Sequence, residues 1–163
     1  MKKILRTIGL VVVALSAVAA AGDAKGTLTY MSKGKPLTLS LAHAYLIVGP
    51  DAVEPKVIIR RLLFTSADVE ARLKACTTMN CASTAMGDGL EFDLVEGPRY
   101  NYWLTLNGQL VQYSGTAKRD ALVASTNTPT KVAGKLVLDG AAGGPTVDVT
   151  FEAGLLMTFT KAR

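Results

Sequence analysis

From Gly26 onward, apolar and polar residues alternate more often than they recur at helical spacing, so the chain reads as a series of short strands. "GTLTYM" and "KPLTLSLAHAYLIV" flank the polar turn "SKGK" and predict a hairpin. In the second segment Leu37, Leu39, Leu41, His43, Tyr45 and Ile47 share one parity. "KVIIRRLLF" is apolar at both ends with two arginines in its middle. "GLEFDLV" places Leu90, Phe92 and Leu94 on one face and Glu91 and Asp93 on the other, the pattern of a strand with one wet side. "YNYWLTLNGQLVQYSG" carries Asn107-Gly108, the preferred pair for a two-residue type I′ turn. That turn predicts Leu104 opposite Val111, Tyr102 opposite Tyr113 and Trp103 opposite Gln112. "ALVAST", "KVAGKLVLDG" and "PTVDVTFEAGLLMTFT" complete the strands.

One segment breaks the alternation. "TSADVEARLKAC" offers Thr65 or Ser66 as N-cap, Asp68 and Glu70 in a first turn, and Lys74 near the end. Val69, Leu73 and Cys76 fall on one side, which predicts a short helix over about 66–76. The expected fold is all-β: a sandwich or flattened barrel of about eight or nine antiparallel strands, with the helix plugging an open end or covering part of a sheet.

The N-terminal stretch has a different texture. Lys2, Lys3 and Arg6 precede an apolar run from Ile8 to Val18, and Ala17, Ala19 and Ala21 supply an A-x-A site. This is the layout of a cleaved secretory leader over residues 1–21, with Ala19 and Ala20 as alternative cleavage points. The run is shorter than the roughly 20 residues of a membrane span. Residues 22–163 then form one domain, expected in the periplasm or outside the cell.

Removing the leader changes the charge picture. The whole chain carries 18 Lys+Arg against 13 Asp+Glu, a net +5. Three of the cations lie in the leader, which leaves 15 against 13 and a net +2. The remaining basic residues are scattered and form no stripe with interleaved aromatics, so nucleic acid is not an expected partner.

Cys76 and Cys81 are the only cysteines. A helix running through both would hold their Cα atoms at least about 7.5 Å apart, beyond the reach of a disulfide. Pairing, expected in an oxidising compartment, therefore requires the helix to end near Cys76. So small a ring contributes about 2 kcal/mol, a local staple. The alternative is a soft-metal site for Cu(I) from Cys76, Met79, Cys81 and Met86, with His43 as a further donor. Zinc needs more ligands than two cysteines and one histidine supply. Thioredoxin-type chemistry uses C-x-x-C, which is absent.

His43, the only histidine, has no nucleophile in a G-x-S-x-G context to serve; a core histidine accounts for it. Glu91 and Asp93 lie about 7 Å apart by strand rise, a spacing glycoside hydrolysis can use, but they alternate with core residues on a strand and a solvated outer face is what they are expected to form. "GDGLEFD" does not match an EF-hand loop. Trp103 falls on the side opposite Tyr102 and Leu104, with Arg99, Asn101 and Gln112. The helix or a long loop covering Trp103 is the expected arrangement; the alternative is that it stays open, since an aromatic among amides and an arginine is the composition of a protein or sugar contact surface.

The "LSLAHAYL" strand resembles small exported bacterial β-domains that carry a Leu-x-His-Ala-Tyr segment after an N-terminal Gly-x-Leu strand. Gly26 to Tyr45 carries the likeness, with an echo in "VIIRRLLFTSADVEARL". The resemblance implies a secreted single β-domain and nothing about mechanism. The expected function is binding, not catalysis, with a protein partner in the cell envelope, an inhibitor or immunity-type protein among the options. A copper-binding protein and a carbohydrate-binding module are the alternatives. No cofactor and no stable membrane insertion after leader cleavage are expected.

Overall fold

The structure, a computed structural model, describes residues 22–163; the expected leader lies outside the described residues. In chain order the elements are β1 (Gly22–Ser32), β2 (Lys35–Pro50), β3 (Ile58–Thr65), α1 (Glu70–Lys74), α2 (Met79–Met86), β4 (Gly89–Asp93), β5 (Arg99–Leu106), β6 (Val111–Lys118), β7 (Leu122–Thr128), β8 (Lys131–Asp139) and β9 (Thr146–Thr158). All nine strands join one sheet in the order β6-β5-β4-β3-β2-β1-β9-β8-β7. It is a curled half-barrel, an all-β architecture of the flattened-barrel kind. Neighbours run antiparallel, except where the end of β9 meets β2 in parallel, Ile47 opposite Met157 and Val48 opposite Thr158.

Curling brings distant strands together across the concave side. The rings of Phe64 on β3 and Phe151 on β9 meet edge to face at 5.0 Å. The concave core gathers Leu28, Leu41, Leu46, Leu62, Phe92, Leu104, Val132 and Val149, all buried. β1 comes so close to β9 that a Cβ on Gly26 would lie 2.1 Å from the Asp148 carbonyl oxygen, so only glycine fits there.

On the convex side α1 and α2 cover β2 and β3. Val69, Leu73, Met79, Ala82 and Met86 pack on Tyr45, Ile47, Ile59 and Leu63. The second half of β2 is therefore buried on both faces. This breaks the single parity read from the sequence: Leu37, Leu39 and Leu41 face the concave core, as do Ala44 and Leu46, while Tyr45 and Ile47 face the helices. The change of side coincides with a register irregularity against β1, between Asp23 and Gly26.

The expected single helix is two. α1 is one short turn beginning after Val69, with no side-chain cap from Thr65 or Ser66. α2 was hidden by the polar residues of "TTMNCAST". Thr78 caps it by accepting the Cys81 amide at 3.2 Å, and the carbonyls of Lys161 and Ala162 accept the amides of Met79 and Asn80. Met79, Ala82 and Met86 form its buried stripe. Cys76 and Cys81 are joined with Cα atoms 5.5 Å apart. The bridge clasps the end of α1 to the first turn of α2.

The predicted β1–β2 hairpin is present, its Lys33-Gly34 turn setting Ser32 opposite Lys35. The β5–β6 hairpin differs by two residues. Leu106 pairs with Val111, Leu104 with Tyr113 and Trp103 with Ser114. The loop runs over 107–110, with positive φ at Asn107, Gly108 and Gln109. The Gly108 amide donates to Asp88 Oδ1 at 2.9 Å, which anchors the wider loop to the start of β4. Because the shift is even, every side chain keeps its predicted face.

Candidate functional site

The convex face of β3, β4 and β5 beside α2 holds a charged cluster. The register sets Arg61 opposite Asp93 and Leu63 opposite Glu91. On the next strand Asn101 lies opposite Asp93, and Trp103 opposite Glu91. Arg61 donates twice to Asp93, from Nε to Oδ1 at 2.6 Å and from Nη2 to Oδ2 at 2.9 Å. Its Nη1 lies 2.8 Å from Glu91 Oε2 and donates to Ser83 Oγ, also at 2.8 Å. Ser83, carried by α2, donates in turn to Glu91 Oε2 at 2.8 Å. The guanidinium carbon stands 5.2 Å from the Trp103 ring centroid, within cation–π range.

One guanidinium thus serves two carboxylates, which leaves the buried cluster one negative charge in excess when both are ionised. Burial pushes the Glu91 carboxyl above its ordinary value, against the pull of Arg61 and Ser83. Burial raises Asp93 as well, against its hydrogen bonds with Arg61. Burial alone would lower the Arg61 pKa; Asp93 and Glu91 outweigh it and hold the guanidinium charged.

Beside the cluster opens a cleft of about 550 Å³, lined among others by Asp51, Arg61, Ser83, Glu91, Trp103 and Gln112. Trp103 is 36% exposed. Asp93 does not line this cleft and is 1% exposed. The two carboxylates therefore do not face a common substrate space; they hold one arginine. The solvated outer face expected for them is instead a buried ion-pair cluster, because α2 roofs the strand.

Of the predicted contact residues, Trp103 and Gln112 line the cleft. Asn101 is half-buried on the same face between Asp93 and Thr116. Arg99 belongs elsewhere: its Nε donates to Thr116 Oγ1 at 2.8 Å, and it lines a separate cavity of about 350 Å³ with Lys118 and Asp139. Sequence reasoning missed Arg61, Ser83, Glu91 and Asp93 as a unit. The available signal was Arg61 at the parity of Ile59 and Leu63; its partners lie beyond two helices.

The soft-metal set is not assembled. Cys76 and Cys81 share a disulfide and offer no thiolate. Met79 is buried against Gly49, and Met86 against Gly89. His43 is half-buried, its ring 6.3 Å from that of Tyr45. Among the described residues no group of three or more His, Cys, Asp or Glu is placed to hold a metal ion, and no helix is long and apolar enough to cross a membrane. No family model matches the chain, and neither a curated protein nor a solved structure matches it.

Proposed function

We propose that the chain is an exported, non-catalytic binding domain that engages a protein partner through the cleft around Trp103. The observation that carries this reading is an exposed indole resting on a guanidinium fixed by Asp93, Glu91 and Ser83. Such an aromatic is already ordered before contact, which lowers the entropy lost on binding. Asp51 and Glu91 add negative charge to the cleft, so the complementary element is a lysine or arginine side chain laid between the indole and Glu91. The leader-like N-terminus and the Cys76–Cys81 bridge support export.

A second reading, carbohydrate binding, is favoured by one feature: Ser83, Thr105, Gln112 and Ser114 bring hydroxyls and an amide to the cleft beside the aromatic. Trp103 is the only tryptophan, so its emission reports on this cleft alone. Titration with lysine-rich and arginine-rich peptides, and with a panel of oligosaccharides, separates the readings. Saturable emission change with basic peptides, lost on Gln112→Ala or reduced by salt, supports the protein-partner reading. A change with sugars only replaces it. A photo-crosslinker at position 112 that captures the same envelope protein in the presence and absence of excess free sugar tests the reading in cells.

A further inference from the structure

We propose that the mouth of the half-barrel, between Arg60 and Arg119, is a second binding site that takes the carboxylate of a small amphiphile, with its apolar chain along Ile58, Leu94 and Tyr100. Arg60 follows the parity of Leu62 and Phe64, so it points to the concave side, at the rim where Leu94 and Tyr100 pack against the core. A cavity of about 660 Å³ opens there, within the roughly 300–1,000 Å³ of small-molecule sites, which favour barrel mouths.

The two arginines are held by neutral groups only. Arg60 donates from Nη1 to Asn127 Oδ1 at 2.8 Å and from Nη2 to the Thr128 carbonyl at 2.5 Å. Its Nε is buried and has no acceptor among the described residues. Arg119 donates to the carbonyls of Gly97 and Val95 at 2.5 and 2.6 Å, and its guanidinium stacks 4.1 Å from the Tyr100 ring centroid. Among the described residues neither makes a salt bridge. Glu96 also lines the cavity, on its exposed rim, and pairs with neither. Burial lowers the Arg60 pKa, and no carboxylate opposes the effect.

The adjacent Arg61 is the opposite case. Arg61 has two carboxylates for one charge; Arg60 has one charge, an orphaned N–H and none. Arg60 is a half-buried cation without a counter-ion, and a carboxylate in the cavity would supply the missing opposite charge. The surrounding isoleucine, leucine, valine and tyrosine surface calls for a hydrocarbon chain behind that carboxylate.

Dodecanoate titrated into the intact protein tests this, with dodecyltrimethylammonium, dodecanol and acetate as controls. Saturable dodecanoate binding at least tenfold tighter than any control is expected. In nitrogen-15 spectra the wild-type protein should show shifts at the Arg60 side chain, Val95 and Tyr100. Arg60→Met should weaken dodecanoate about 10- to 100-fold, the span of a lost charge-assisted hydrogen bond, and Arg60→Lys should recover part of it. Equal affinity for the cationic amphiphile, or shifts confined to the Trp103 cleft, overturns the site. So does an absence of saturable binding. The wild-type shift map decides the matter even if Arg60→Met does not fold.

Discussion

The hydroxyl of Tyr45 donates to Asp68 Oδ1 at 2.8 Å while accepting the Val69 amide at 3.0 Å. A strand residue thereby does for α1 what the expected caps Thr65 and Ser66 do not. Asp68 completes the arrangement by accepting the Glu70 amide at 2.9 Å. Burial first, and Asp68 second, push the Tyr45 pKa to about 12, so the phenol stays protonated as a donor. Tyr45→Phe keeps the ring and removes both bonds. The expected cost is about 1–2 kcal/mol, read by urea unfolding, with faster amide exchange at Val69.

Arg61 holds two buried carboxylates, so Arg61→Met should destabilise by roughly 3–5 kcal/mol at neutral pH. Part of that loss should return at pH 5, where the orphaned carboxyls can take up protons. Unfolding midpoints at the two pH values check this; equal losses at both would contradict the pairing.

Glu91 is predicted to work against stability at neutral pH. Its folded-state pKa lies above the unfolded value, so the folded state binds the extra proton and stability rises as pH falls toward about 4.5 from above. Glu91→Gln should leave the Tm at pH 7 unchanged or raised, and should flatten its rise on mild acidification. A large loss at pH 7 would mean the charge itself is needed.

Cys76 and Cys81 close a small ring, and Cys76→Ser with Cys81→Ser should cost about 2 kcal/mol. Ser83 and Thr84 of the clasped helix line the cleft, so urea unfolding followed by Trp103 emission reads the loss. Intact mass before and after reduction confirms the bridge.

Gly26→Ala places a methyl against the Asp148 carbonyl. Overpacking of this kind typically costs about 1–3 kcal/mol, and exchange protection should fall first at the β1–β9 ladder.

The strands were legible because alternation reports a face directly, and Trp103 kept its side even though the hairpin register slipped by two. The half of β2 beyond Leu41 was not legible, since a strand buried on both faces loses its alternation. α2 was missed because its buried stripe is only Met79, Ala82 and Met86 among small polar residues. With α2 missing, nothing in the sequence said that Glu91 and Asp93 were roofed. The Arg61 cluster is a property of strand adjacency across two helices, which local pattern does not encode. The orphaned Nε of Arg60 depends on how far the sheet curls, a still longer-range quantity.

β9 lies inside the sheet, between β1 and β8, although it comes furthest along the chain; Gly26 waits for Val149 as its partner. Such non-local pairing places folding toward the slow end of the range for small domains. Until β9 arrives, β1 presents an open edge and the β7–β8 hairpin has nothing to join. The chain spends that interval as an unsealed sheet, open to strand exchange with other chains. The position of one strand thus sets a kinetic order: the two halves of the sheet are joined only when β9 is in place.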